Sequence, residues 1–247
     1  MNRLILSIIL FGVTILQTTA AQGNERHLTI AAGAGYKKPV TDILRNYEAD
    51  SGTSVDAVFG NLQTVTTQAR QSGDIAVIIG DRKFLAALEK TLAFSGYTRL
   101  GRGIPVIASR KGITMHAMSD LLSPSVKSVF LPQTGKAIYG IAGRETLRSL
   151  GYDTLINGKL TETGTVPQVV SYLVTGEADA GFINLTEALA DSGRFGSFIT
   201  VPDSCHAPID IVAGVVKEYG TAGEVRSFTQ YLSSEKARAI LKRYGLY

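Results

Sequence analysis

Short apolar runs alternate along the chain with segments whose apolar residues recur every three or four positions. His27 to Ala32 (HLTIAA) reads as a strand that Gly33-Ala34-Gly35 interrupts. Pro39 suits the first turn of the next helix, and Val40, Ile43, Leu44 and Tyr47 give that helix one apolar stripe. Gly52 ends it. Val55 to Phe59 alternates like a second strand, Gly60-Asn61 breaks it, and a polar helix runs to about Arg70. Ile75 to Ile79 is continuously apolar, the pattern of a strand buried on both faces. Asp81 stands where it can cap a helix carrying Phe84, Leu85 and Leu88.

The alternation continues. Ser128 to Leu131 reads as a strand, Tyr139 to Leu150 and Val166 to Thr175 as helices, and Ala180 to Asn184 and Ile209 to Val216 as strands. Glu224 to Tyr244 is a helical finish broken at Ser233-Ser234. Strand–helix alternation at this spacing predicts an α/β protein with mixed, mostly parallel sheets. The glycine-rich stretch GRGIPVIAS around Ile104 and the strand Ile209 to Val216 are the expected crossings between two lobes. Residues 22–108 and 210–247 would then form a discontinuous lobe 1, and 109–209 a continuous lobe 2.

The first residues have a different character. Met1-Asn2-Arg3 is short and positive, Leu4 to Leu16 is nearly all apolar, and Gln17 to Gln22 is small and polar. That is the layout of a secretory signal, expected to span 1–21 and to be cleaved after Ala20 or Ala21. The apolar run is shorter than the roughly 20 residues that span a bilayer. The expectation is therefore an exported, periplasmic protein that is soluble after cleavage.

Composition narrows the function. A single cysteine, Cys205, allows no internal disulfide, so a packed core must carry stability; 45% hydrophobic content supports one. A formal charge of +4, with no basic run beyond Lys37-Lys38 and Arg110-Lys111, argues against a nucleic-acid binder. The three histidines, His27, His116 and His206, show no metal-ligand spacing. No phosphate-loop, H-E-x-x-H or G-x-S-x-G motif is present, and Gly33-x-Gly35 lacks the third glycine of a dinucleotide fingerprint. Cys205-His206 is the one pair that invites nucleophilic catalysis, but adjacency in sequence does not supply the geometry. No enzyme activity, cofactor or metal is expected.

Val166 to Phe182 reads V-P-Q-V-V-S-Y-L-V-T-G-E-A-D-A-G-F. It resembles the V-R-Q-V-L-x-Y-V-x-x-G-E-A-D-A-G-F run of the periplasmic molybdate-binding components of ABC importers, within the type II solute-binding proteins. Ala137 to Leu147 resembles that family's A-P-Y-G-x-A-A-x-E-A-L helix start, and Phe228 to Tyr244 is similar to its closing F-x-x-Y-L-x-S-x-x-A-x-x-I-x-x-x-Y-G. The resemblance implies a two-lobed type II periplasmic-binding-protein fold with a ligand cleft between the lobes. It also implies a monomer that captures molybdate, tungstate or a sulfate-like anion and docks on an ABC permease in the membrane. The alternative is an orphan binding or sensing protein of the same fold, for sulfate or a small organic anion, with no transporter.

In that family the anion is held by backbone N–H groups, small hydroxyls and a tyrosine. The resemblance therefore implies a site at Gly33, Ala34, Gly35 and Tyr36, at Gly60, Asn61 and Gln63, at Ala137 and Tyr139, and at Val166, with Asn184 nearby. Where the family has serines, this chain has Ala34, Asn61 and Leu62; where it has the tyrosine, this chain has Asn184. Tyr36, Asn61 and Gln63 are the candidate replacements for the missing hydroxyls. Lys37 and Lys38 stand at a helix start, where either a cleft-facing or a solvated role is open.

Overall fold

The computed structural model describes residues 27–247, so the expected signal segment lies outside the described residues. In chain order the elements are β1 (His27–Gly33), α1 (Lys37–Ser51), β2 (Ser54–Gly60), α2 (Leu62–Ser72), β3 (Val77–Asp81), α3 (Arg82–Ala87), β4 (Phe94–Gly103), β5 (Pro105–Arg110) and β6 (Val129–Pro132). They continue with α4 (Ile138–Ser149), β7 (Leu160–Thr163), α5 (Val166–Thr175), β8 (Ala180–Asn184), α6 (Leu185–Ala190), β9 (Phe195–Thr200), β10 (Ile209–Val216), α7 (Gly223–Leu232) and α8 (Glu235–Arg243).

The strands form two five-stranded sheets, ordered β2-β1-β3-β10-β4 and β7-β6-β8-β5-β9. In the first, β1 pairs parallel with β2 and β3, while β10 runs antiparallel to β3 and β4. In the second, β6 pairs parallel with β7 and β8, while β5 runs antiparallel to β8 and β9. Parallel pairings thus make up half of each sheet rather than most of it, because the strands next to the crossings, β4, β5, β9 and β10, make the antiparallel ones.

The chain leaves the first sheet between Gly103 and Pro105 and returns between Thr200 and Ile209. Residues 105–108, assigned from sequence to lobe 1, are part of β5 and belong to the second sheet, so that boundary moves back to Ile104. The apolar runs dictate this arrangement. Every residue of β3 and β8 is buried, as strands covered by helices on both faces require. The stripe on α1 turns inward, with Tyr47 packing at 5.2 Å between ring centres against the buried Phe228 of α7.

The motif Gly176 to Phe182 proves to be a folding signature. Gly176 adopts a left-handed φ of 84° to end α5. A Cβ on Gly181 would come within 2.5 Å of Val169 Cγ1, so only glycine lets α5 lie this close to β8. Asp179 accepts hydrogen bonds from Arg110 Nε (2.7 Å) and from the N–H groups of Lys127 (2.7 Å) and Ser128 (3.2 Å), which tie the start of β6 to β5.

Burial alone would push the Asp179 carboxyl up, but Arg110 and the two N–H groups outweigh it and hold its pKa below the ordinary aspartate value. A depressed folded-state pKa means stability that is present above the unfolded pKa and is lost as pH falls through the folded one. Asp179→Asn should therefore lower unfolding free energy near pH 7 by about 1.5–3 kcal/mol, the loss of charge-assisted hydrogen bonds. The gap between variant and wild type should shrink below about pH 4 in urea unfolding.

Candidate functional site

Four helix starts meet at the seam between the two sheets. From lobe 1 come the turn Ala34–Tyr36 that leads β1 into α1, and the start of α2 behind Gly60 and Asn61. From lobe 2 come the start of α4 behind Ala137 and the start of α5 behind Thr165. Residues of all four line one cavity of about 30 Å³. Its wall is Gly33, Ala34, Gly35 and Tyr36, then Gly60, Asn61 and Leu62, then Ala137, Ile138 and Tyr139, then Thr165 and Val166. No charged side chain is among these residues.

The caps of these helices set them apart. The first N–H groups of a helix lack carbonyl partners and usually bond a side chain at the N-cap. Asp81, Asn184 and Ser234 cap α3, α6 and α8 in this way, away from the cavity wall. Gly33 and Ala137, at two of the four starts facing the cavity, have no polar side chain and make no cap bond, and at Thr165 the bond present is the reciprocal one, Gln168 Oε1 accepting from Thr165 N at 3.1 Å. Asn61 caps α2: its Oδ1 accepts from Thr64 N and from Thr64 Oγ1, each at 2.9 Å, leaving its NH₂ group unused. The wall therefore offers N–H donors and helix-dipole positive ends to an occupant, which suits an anion.

Beneath the cavity Tyr36 and Tyr139 join the lobes through their hydroxyls, 2.5 Å apart. Both side chains are buried, and that burial pushes both phenols well above the ordinary tyrosine pKa, so they stay neutral donors. The pair lies against Gly103 at the crossing from β4 to β5, where a Cβ would stand 2.5 Å from Tyr139 Oη and 3.0 Å from Tyr36 Oη.

Nine of the eleven residues expected from sequence lie on the wall: Gly33, Ala34, Gly35, Tyr36, Gly60, Asn61, Ala137, Tyr139 and Val166. Gln63 is exposed and lies off it. Asn184 is also off it; its Nδ2 donates to Gly35 O at 2.9 Å and its Oδ1 accepts from Glu187 N at 3.1 Å. Thr165 escaped the sequence reading, although a threonine one residue ahead of Val166-Pro167 is a recognisable helix-start signal.

Neither lysine at the start of α1 is on the wall. Lys37 is exposed with its ammonium 5.8 Å from the Phe59 ring centre, and Lys38 pairs with Glu187 and Asp191 of lobe 2. Cys205 is buried in the core of lobe 2, and the Nδ1 of His206 bonds Ala207 O at 2.7 Å instead of the thiol. A larger interlobe cavity, about 280 Å³, lies beyond Ile138 between α3, α4 and residues 207–209. Its lining carries the carboxylates of Asp81 and Glu145 as well as Lys83, and the helix that starts at its edge, α3, is already capped by Asp81.

Residues 28–247 match a family model described as bacterial extracellular solute-binding protein. A molybdate-binding protein of Azotobacter vinelandii is 26% identical over 236 residues, covering 93% of this chain and 92% of the relative. A lipoprotein of Bacillus subtilis named for ABC-transporter substrate binding is 27% identical over 224 residues, covering 88% of this chain and 85% of the relative. Among solved structures, the Azotobacter vinelandii periplasmic molybdate-binding protein superposes with a TM-score of 0.80 at 22% identity, covering 89% of this chain and 98% of that one.

The tyrosine pair gives a direct test of the seam. Tyr36→Phe or Tyr139→Phe alone strands a buried hydroxyl and should cost about 1–3 kcal/mol in chemical denaturation. The double variant removes both hydroxyls and should cost clearly less than the sum of the two singles, giving a favourable coupling in the double-mutant cycle.

Proposed function

Because the chain belongs to the bacterial extracellular solute-binding proteins, we propose that it captures a small tetrahedral oxyanion of the molybdate or tungstate class between its lobes and hands it to an ABC permease. The observation that carries this reading is that four helix starts meet around one uncharged cavity, two of them behind residues with no polar side chain to cap them, Gly33 and Ala137. Neutral, fixed N–H donors complement an oxyanion by geometry without fixing a cation in the cleft. The molybdate-binding relative and the ABC-transport lipoprotein support the choice of ligand class and of partner. Export to the periplasm fits the leader-like first segment, and among the described residues no helix is long and apolar enough to cross a membrane.

The binding residues in this reading are the nine on the wall, together with Thr165. Residues 105–200 form the lobe that closes over the ligand from one side, by rotation about the crossings at Ile104 and 201–208. A second reading, a binding or sensing protein for sulfate or a small organic anion without a transporter, is favoured by one observation. Ala34, Leu62 and Asn184 bring no hydroxyl to the cavity, while Asn61 offers an amide whose NH₂ is unused.

Isothermal titration with molybdate, tungstate and sulfate separates the two. Molybdate and tungstate should bind more tightly than sulfate, and Asn61→Ala should weaken binding by roughly five- to ten-fold, the equivalent of one neutral hydrogen bond. Binding of none of the three, together with a melting-temperature rise from a small organic acid, would overturn the oxyanion reading in favour of the second.

A further inference from the structure

The small cavity at the four helix starts has a neighbour. The interlobe cavity of about 280 Å³ lies beyond Ile138, and Ile138 is the one residue that lines both. The two differ in chemistry. The first, about 30 Å³, has no charged side chain on its wall; the second carries Asp81, Lys83 and Glu145 among apolar residues such as Phe84 and Pro208. On the lobe 1 side the two walls nearly touch. Leu62 of the first rests on Gly80, where a Cβ would stand 2.5 Å from Leu62 Cδ2, and Gly80 immediately precedes Asp81 of the second. Ile138 comes from the other lobe. It opens α4, yet it packs against the hydrophobic cluster of Leu62, Leu85 and Val212, all of whose other described residues belong to lobe 1. A side chain that lines both cavities and is anchored on the opposite lobe is their shared wall.

We propose that Ile138 determines specificity: its side chain is the partition that confines the ligand to a bare tetrahedral oxyanion, and opening it admits an oxyanion that carries an aminoalkyl arm. The inference rests on the reading above that the cavity at the helix starts holds an oxyanion. The partition acts in two ways. By shape, it denies a substituent on the anion the room that lies behind it. By charge, it keeps an apolar side chain between the anion and the Asp81 and Glu145 carboxylates, which would repel an anion and attract an ammonium group. Those carboxylates are held in place by the chain's return crossing. Asp81 Oδ2 accepts from Asp210 N at 3.2 Å, and Glu145 Oε2 accepts from Ala207 N at 2.8 Å. Burial is the main cause of the raised Tyr36 and Tyr139 pKa values, but the Asp81 charge also raises both, so its field reaches the base of the small cavity.

Ile138→Ala removes the partition and keeps a good helix former at the first position of α4. The probes are molybdate, aminoethylphosphonate and ethylphosphonate, the last matching the second in shape without its amine. Isothermal titration of the full mature chain should show wild type binding molybdate at least about ten-fold more tightly than either phosphonate, the scale of discrimination that a close-fitting wall supplies. In Ile138→Ala the ratio of molybdate to aminoethylphosphonate affinity should fall by about ten-fold or more. Aminoethylphosphonate should then gain about ten-fold over ethylphosphonate, the equivalent of one charge-assisted hydrogen bond to the carboxylates. Adding Glu145→Gln, which keeps an acceptor for Ala207 N, should remove most of that advantage.

Ile138→Val, a loss of one methyl group, should move the ratio the same way by less and serves if the alanine variant does not fold. An unchanged ratio in both variants, or a wild type that binds aminoethylphosphonate as tightly as molybdate, would overturn the partition. A crystal structure of Ile138→Ala tests the same wall without any ligand. One continuous cavity running from the helix starts to Glu145 is the expected result, and two cavities still closed off from each other would overturn the proposal. If the cavities merge while no oxyanion binds either wild type or variant, the partition stands and the failure falls on the oxyanion reading alone.

Discussion

The first turn of a helix carries N–H groups with no carbonyl within reach, and something must satisfy them. In this protein two such turns that face the interlobe seam begin behind Gly33 and Ala137, neither of which has a side chain able to cap it, and a third begins behind Thr165. The rest of the arrangement follows from that constraint. The turns face one another because β1 and β2 end at Gly33 and Gly60 in register, and because β6 delivers the chain to α4 from the other lobe. The two sheets are connected by the crossings at Ile104 and 201–208 and meet at the tyrosine pair packed on Gly103.

Charge is kept at the margin of this site. A lysine at the start of α1 opposes the helix dipole and would be an evident anion ligand, yet Lys38 is held by Glu187 of α6 and by Asp191 just past its end, and Lys37 is exposed against Phe59. Burial favours the neutral Lys38, but the two carboxylates outweigh it and hold the ammonium pKa above its ordinary value. An anion held in this cavity would be recognised by fixed dipoles matched to its shape, which favours discrimination by size and oxygen geometry over discrimination by charge.

Much of the fold was legible in the sequence because its strongest signals are local. α5, β8 and β10 fall on the predicted residues, and the break at Ser233-Ser234 separates α7 from α8. The elements that escaped, such as β7 and β9, are short and only half buried, so their apolar periodicity is weak. The cavity loops were legible as glycine-broken strand ends and through the family resemblance. The contacts that Asn184 and Glu187 make with Gly35 and Lys38 were not, because each partner lies about 150 positions away in the chain. Gln63 lies off the cavity wall for a related reason: the second residue of α2 is exposed, and helix phase at a start cannot be read until the cap is known.

The most direct test of the central claim is where the anion sits and what surrounds it. Crystals grown with molybdate, measured at the molybdenum absorption edge, should give one anomalous peak between the starts of α1, α2, α4 and α5. Backbone nitrogens should lie within hydrogen-bond distance of the anion, with the Lys38 ammonium still on Glu187 and Asp191. A peak in the larger cavity beside α3, or an anion contacted by Lys37 or Lys38, would contradict an uncharged site built from helix starts.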